Sequence, residues 1–181
     1  IQSGSDRMLR MMNRGYTRED FMGLVDRIRT AMPHVVLTTD LITGFPTETE
    51  EEFQDTLKAV KEIRFDSAFF FKYSEREGTL ASRKYKDDVP EEVKVERLKK
   101  LVEVQKTISL EKNEEYIGKV LEVMVDELGT KRSDEDFQGR MDGNKKVLFP
   151  SEGKPFRIAD LVQVKITEAT PNILKGKVVS D

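Results

Sequence analysis

The hydrophobic period of this chain changes near Gly118, and that change limits the folds open to it. Before Gly118, segments with apolar residues three and four apart alternate with short apolar runs, which is the order of βα units. After Gly118, apolar and polar residues alternate, as in Leu121–Val125 and Val162–Ile166, and no helical period recurs. We therefore predict two domains, an α/β domain over residues 1–117 and a small all-β domain over residues 118–181.

The first domain is predicted to alternate helices with strands of a parallel sheet. Thr49 and Glu52 form a capping box, which marks a helix start. The run Val35–Ile42 is apolar almost throughout, which favours a strand covered on both faces. The three residues Phe69–Phe71 are expected in the core, because consecutive strand residues point to opposite faces and cannot stack on one ligand. The predicted helices cover about residues 6–14, 17–32, 49–63 and 90–115, and the predicted strands cover residues 35–42 and 68–73.

The second domain is predicted to be a small antiparallel barrel. Five short strands with alternating apolar residues occur between Gly118 and the end of the chain. The turn Asp142–Asn144 separates two of these strands and has the composition of a hairpin turn. The fold class that follows is α/β for the first part and all-β for the second.

Composition excludes several kinds of chemistry. The chain has no cysteine and one histidine, so it cannot itself form disulfides, ligate an iron–sulfur cluster or build a Cys-ligated zinc site. The charge is balanced, with 31 Lys and Arg against 34 Asp and Glu and a net charge of −3. No apolar stretch approaches the ~20 residues of a membrane span, and we expect a cytoplasmic protein. Because the chain starts at Ile1 inside what looks like a motif, we also expect a fragment.

Three polar residues lie where βα folds place their ligands, beyond the carboxyl ends of strands. Gln2 and Asp40 offer an amide and a carboxylate, which suit ribose hydroxyls, and Arg14 offers a guanidinium, which suits a carboxylate. Each also has a structural interpretation: Gln2 as a terminal residue, Arg14 as a cation at a helix C-terminus and Asp40 as a cap. Taken singly, these residues do not distinguish the two interpretations.

Four segments together resemble a known family. The segments Gln2–Ser5 and Met11–Thr17 resemble the stretch after the fourth strand in radical S-adenosylmethionine (SAM) methylthiotransferases. The segments Thr38–Thr49 and Tyr73–Ala81 resemble the motifs of the fifth and sixth strands in that family, and the C-terminal barrel resembles the TRAM domain, a small RNA-binding module. The match is closer to the MiaB branch, which modifies N6-isopentenyladenosine in tRNA, than to the RimO branch, which modifies a ribosomal protein.

The resemblance implies a SAM site. Gln2 and Asp40 would contact the ribose of SAM, and Arg14 would hold its methionyl carboxylate. Gly44 would let the backbone approach the adenine closely. Arg76 would face the substrate base, although a salt bridge to a neighbouring acid explains it equally well. The full SAM set is Gln2, Ser3, Arg14, Asp40, Ile42, Gly44 and Tyr73.

The chain departs from the family pattern in one decisive respect. The cysteines that hold the [4Fe–4S] clusters in the family lie upstream, and this chain contains none. We therefore expect SAM as the only cofactor this chain itself contacts, no metal ligand and no catalytic residue in the chain, and no activity without the upstream half. Half of a parallel barrel leaves a strand edge and a sheet face uncovered, so we also expect self-association.

The resemblance to TRAM implies tRNA as a partner. The candidate phosphate contacts are cations clustered at two turns of the predicted barrel, with acidic residues interleaved. Three other functions remain open at this point: a non-catalytic RNA-binding module, a RimO-like methylthiotransferase that acts on a ribosomal protein, and a fragment of an ordinary phosphate-binding barrel. The candidate RNA contacts are Lys131, Arg132, Arg140, Lys145 and Lys146.

Overall fold

A computed structural model describes residues 1–130, 133–151, 153 and 155–179, with the backbone alone at residues 130 and 133–135. The chain divides into two compact units, residues 1–108 and residues 109–181. The domain boundary near Gly118 stays a proposal.

The first unit alternates helices with two parallel strands, as predicted. Strand β1 pairs with β2 from Thr38 opposite Ser67 to Thr43 opposite Lys72. Its elements are α1 (Asp6–Met11), α2 (Arg18–Ala31), β1 (Thr38–Thr43), α3 (Glu50–Ile63), β2 (Ser67–Lys72), α4 (Leu80–Lys84) and α5 (Glu91–Glu114), the last of which continues into the second unit.

Two helices begin where their capping residues predict. Thr17 caps α2 and Thr49 caps α3, and in both cases the acidic residue three positions later bonds back to the cap backbone.

Strand β1 starts three residues later than predicted. Residues 35–37 form a loop, in which the Leu37 N–H donates to the Asp66 carboxylate at 2.9 Å.

The sheet is covered on one face only within the described residues. On the inner face, Leu41 is buried beneath the helices. On the other face, Asp40 is exposed, and Phe69 and Phe71 are 61% and 53% exposed. The predictions of a strand covered on both faces and of a core role for Phe69 and Phe71 are therefore wrong. Of the three phenylalanines Phe69–Phe71, alternation along β2 turns Phe70 towards the core. The largest fully buried side chains of this unit are Phe53, Phe65, Met8, Leu9, Leu41, Ile63, Leu101 and Val60.

The second unit is a closed five-stranded barrel. Its strands are β3 (Val120–Thr130), β4 (Ser133–Met141), β5 (Lys146–Pro150), β6 (Leu161–Ala169) and β7 (Ile173–Val178), and their order around the barrel is β3-β4-β5-β7-β6. All neighbours are antiparallel except β5 and β7, which are parallel. The prediction of a wholly antiparallel barrel is wrong at this pair, because directions cannot alternate around a closed ring with an odd number of strands.

Inward residues of the barrel alternate with outward ones. Val123, Val125, Val164 and Ile166 are at most 1% exposed and form the core with side chains from β5 and β7. Within the described part of the chain, no helix combines the length and the apolar character needed to cross a bilayer.

Candidate functional site

The first residues of the chain lie beside β1. The Ile42 N–H donates to the Gln2 carbonyl at 3.1 Å, and the Ile1 ammonium donates to the Thr39 hydroxyl at 2.8 Å. Gln2 is therefore held next to Ile42, two residues beyond Asp40 on the same strand.

Arg14 follows α1 and lies next to Gln2. Asn13 has a φ of +58°, and this left-handed residue ends the helix, so that the Arg14 N–H bonds to the Leu9 carbonyl at 2.8 Å. The Arg14 guanidinium then donates to Gln2 Oε1 at 2.5 Å. The structure thus brings together two predicted site residues that are twelve positions apart in sequence.

Asp40 belongs to the same neighbourhood. Asp40 lies on β1 two residues before Ile42, whose N–H bonds to the Gln2 carbonyl. Burial and the charge of Arg14 lower the pKa of the Ile1 ammonium to about 6, and the charge of Asp40 opposes this change. Gln2, Arg14 and Asp40 form a set with an amide, a guanidinium and a carboxylate, which we call the polar triad.

Gly44 and Ile42 continue the strand towards its end. Gly44 has a φ of +70°, and a Cβ there would stand 2.4 Å from Lys94 Cγ. The side chain of Lys94 thus occupies the space where a Cβ would stand, and the approach of Gly44 to the adenine stays a prediction. Thr47, in the turn that follows, also has a left-handed backbone, with a φ of +65°.

Tyr73 follows β2 and packs beside the end of β1. Its N–H donates to the Thr43 carbonyl at 2.8 Å, and its ring meets Phe45 edge-on at 5.0 Å between centroids. The Lys94 ammonium lies 5.4 Å from the Tyr73 centroid and is paired with Asp87 at 2.5 Å. The Tyr73 hydroxyl is buried without a hydrogen-bond partner among the described residues. Burial, and then the charges of Glu75 and Asp87, raise the pKa of this phenol.

Ser3 and Arg76 do not join the polar triad. Ser3 is fully buried, and its hydroxyl lies 3.2 Å from the Thr56 hydroxyl on α3. It therefore fastens the first residues to that helix. Arg76 is exposed in the loop after β2, and no ion pair links it to any other described residue.

Sequence reasoning missed a buried ion pair at the end of β1. Glu48 has a fully buried side chain, and its Oε2 accepts from Arg97 at 2.8 Å and from the Gly44 N–H at 2.7 Å. Burial raises the pKa of Glu48, although these donors oppose the rise. Arg97 also donates to the Glu48 carbonyl at 3.1 Å. The pair thus ties α5 to the turn that ends β1. Its only sequence signal was the position of Glu48 inside the Thr38–Thr49 motif.

The cations predicted to contact RNA are partly neutralised. Arg140 donates to Asp126 at 2.8 Å and to Asn144 Oδ1 at 2.9 Å. Lys145 donates to Asn113 Oδ1 at 2.8 Å. Lys146 is half-buried and stands opposite Arg140 in the sheet register. Lys131 and Arg132 lie outside the described residues.

The residues present fit a nucleoside with an amino-acid group better than they fit a metal centre. The polar triad offers acceptors for hydroxyls and a cation for a carboxylate, and Tyr73 adds a buried hydroxyl that has no partner among the described residues. No group of three His, Cys, Asp or Glu residues within the described ranges is placed to hold a metal ion. An iron–sulfur cluster does not fit this chain, because the whole sequence lacks cysteine.

Two family models match the chain, one in each part. The radical SAM superfamily matches residues 1–60, and the TRAM domain matches residues 114–179. In the structural comparison, coproporphyrinogen III oxidase from Escherichia coli, a radical SAM enzyme, aligns with a TM-score of 0.52 at 17% identity over 77% of this chain and 39% of that chain. This likeness supports the fold alone.

The similar curated proteins are named tRNA-2-methylthio-N(6)-dimethylallyladenosine synthase. One from Azobacteroides pseudotrichonymphae is 50% identical over 97% of this chain, and one from Flavobacterium johnsoniae is 44% identical over 99%. The chain spans 38% and 37% of the length of these two relatives. Residues 1–60 thus match part of the radical SAM superfamily, residues 114–179 match a TRAM domain, and nearly the whole chain is similar to part of these relatives.

Proposed function

We propose that this chain is part of an enzyme that transfers a methylthio group to C2 of N6-isopentenyladenosine in tRNA, near the anticodon. The observation that carries the proposal is the contact of Arg14 with Gln2 beside β1, on the strand that also bears Asp40. The names of the relatives, which share 44–50% identity with the chain, supply the reaction and the substrate.

In this proposal the polar triad binds SAM. Asp40 accepts hydrogen bonds from the ribose hydroxyls, and Gln2 can both donate to and accept from the same sugar. Arg14 binds the carboxylate of the amino-acid part, because a guanidinium matches a carboxylate with two parallel hydrogen bonds. The Tyr73 hydroxyl is buried and has no partner among the residues that the structure describes, and in this proposal it gains one when SAM is bound.

The radical chemistry needs residues that this chain does not contain. A bound [4Fe–4S] cluster would supply the electron that cleaves SAM. Since the sequence has no cysteine, the cluster ligands must come from another part of the protein. We infer that residues 1–181 alone are inactive, and that their role is to orient SAM and to bind tRNA in the cytoplasm.

The test is a calorimetric titration of SAM into the full-length protein and its Arg14→Gln and Asp40→Ala variants. Each substitution removes a charged hydrogen-bonding group, so we expect SAM to bind about 10- to 100-fold more weakly. Asp26→Ala, on an exposed position of α2, is the matched control and should leave the affinity unchanged. Unaltered SAM affinity in both site variants would remove the basis of this proposal.

A non-catalytic RNA-binding module is the second candidate, and the TRAM match over residues 114–179 favours it. The SAM titration, combined with a tRNA-binding measurement on the same protein, separates the two functions. A protein that binds tRNA but shows no heat with SAM is a binding module, whereas a methylthiotransferase binds both.

The exposed face of the sheet predicts self-association of the isolated chain. Phe69 and Phe71 lie on this face opposite Asp40 and Ile42, and both are more than half exposed. We propose that in the full-length protein the upstream half covers this face. In sedimentation the 181-residue chain should form dimers or larger species, and Phe69→Ser/Phe71→Ser should shift it towards the monomer.

The control for this experiment is Met32→Ser, which removes an exposed apolar side chain at the C-cap of α2, away from the sheet residues Phe69 and Phe71. It should leave the association unchanged. A wild-type chain that sediments as a single monomeric species would contradict the prediction.

A further inference from the structure

Two lysines face each other on the outer wall of the barrel. Along β6 and β7, the inward positions Val164, Ile166 and Leu174 are buried. Lys165 and Lys177 are therefore outward, both are exposed, and they stand directly opposite each other in the antiparallel register. Opposed side chains in such a pair are about 5 Å apart at Cβ.

In the part of the chain that the structure describes, neither lysine forms an ion pair with an acidic residue. The nearest acids on this wall are already engaged: Glu168 pairs with Lys175 at 2.8 Å, and Glu122 accepts from the Gln163 amide at 3.4 Å. Within the described residues, no ion pair involves Lys165 or Lys177. Like charges directly opposite each other in a sheet are destabilising, so the free protein carries a repulsion here that an anion would relieve.

The backbone holds this pair in place. At Gly176, the residue before Lys177, a Cβ would stand 2.5 Å from the Lys165 carbonyl oxygen and 2.5 Å from Val164 Cγ1. Only glycine lets β7 lie this close to β6. On its other side, Lys165 is opposite Val120, which is 50% exposed. We call Val120, Lys165 and Lys177 the opposed-lysine surface.

We propose that the opposed-lysine surface contacts the phosphate backbone of RNA. Two unpaired ammonium groups side by side suit consecutive phosphates and do not read sequence. Arg140, by contrast, is held by Asp126. This inference rests on tRNA being the partner, as proposed above, and adds the surface that meets it.

The experiment measures the affinity of the 181-residue chain for a fluorescently labelled tRNA transcript at several KCl concentrations. The test variant is Lys165→Gln/Lys177→Gln. Lys175→Gln is the matched control on the same face of β7, and Arg140→Gln/Lys145→Gln/Lys146→Gln tests the other patch. Each lost phosphate contact lowers the slope of log affinity against log salt by about 0.7 to 0.9. We therefore expect the test variant to lower that slope by about 1.5 and the control by much less.

Thermal melting provides a readout that separates lost binding from lost folding. Because the substitution removes a repulsion, the test variant should melt at the same temperature as the wild type or a few degrees higher at low salt. Weaker, less salt-dependent tRNA binding by a protein that melts no lower is the expected result. If the test variant binds like Lys175→Gln, or if the loss is confined to the Arg140 patch, the surface is wrong while the tRNA partner stands. If the wild-type chain does not bind tRNA, the partner is wrong as well.

Discussion

Replacing Arg97 by methionine is expected to lower the free energy of unfolding by about 3 to 5 kcal/mol at neutral pH. The guanidinium is the cationic partner of Glu48, whose side chain is fully buried. Methionine keeps an unbranched apolar chain over the Phe53 ring, which the guanidinium carbon now meets at 5.3 Å. The loss therefore reports the unpaired carboxylate rather than lost packing. Chemical denaturation of the variant and the wild type measures it.

A second substitution tests this cause. In Glu48→Gln/Arg97→Met the carboxylate is also removed, and the amide oxygen can still accept from the Gly44 N–H. The double variant should recover more than half of the stability lost in Arg97→Met, because neither charge is then buried alone. The control is Lys100→Met, which breaks the exposed pair with Glu96 and should change little. A double variant as unstable as the single one would contradict the explanation.

The loss in Arg97→Met should also depend on pH. Burial already raises the pKa of Glu48, and removing Arg97 takes away two interactions that oppose this rise. A carboxyl whose pKa is higher in the folded state binds more protons folded than unfolded, so stability falls as pH rises from the unfolded to the folded pKa. The stability difference between variant and wild type should therefore be smaller in mild acid than at neutral pH.

Replacing Gly4 by alanine is expected to destabilise the protein by about 2 to 3 kcal/mol and to weaken SAM binding. A Cβ at Gly4 would stand 2.3 Å from the Asp55 carbonyl oxygen and 2.6 Å from Thr56 Cα, both in the backbone of α3. Helix backbone cannot move aside as a flexible side chain can. The segment that carries Gln2 must shift instead, which breaks its contact with Ile42. Denaturation and a SAM titration of the full-length protein measure the two effects.

Gly15→Ala is the matched control for this prediction. A Cβ there would have nothing within 4 Å. Alanine also reduces the freedom of the unfolded chain, so this variant should be as stable as the wild type or more stable by up to about 1 kcal/mol. Equal stability of Gly4→Ala and Gly15→Ala would show that the first segment is not packed against α3 as described.

Local sequence patterns predicted the elements of the fold well, because the interactions that define them are local. Thr17 and Thr49 cap α2 and α3 through residues three positions away. The turn before β5 has positive φ at Gly143 and Asn144, as its composition predicts. The errors lie at positions decided by distant residues, such as Phe69, whose exposure depends on what covers the sheet.

A family resemblance predicted the candidate site, but nothing in the sequence predicted the buried charged side chains of α5. The motifs indicated Gln2, Arg14 and Asp40, and the structure joins Arg14 to Gln2 and places Gln2 beside the strand that carries Asp40. Hydrophobic periodicity treats lysine and arginine as solvent-facing, and it therefore could not reveal that Lys94 and Arg97 lie on the buried side of α5.

By itself the sequence determined the α/β part followed by an all-β part, most helix starts, and the absence of any cluster ligand, since each follows from residue types and short spacings. Only the tertiary structure decided that Glu48 is buried with Arg97, that Phe69 and Phe71 lie exposed, and that Lys165 meets Lys177. These are facts about burial and register between segments far apart in the chain. A charge or an aromatic ring has no fixed environment until another segment is placed against it.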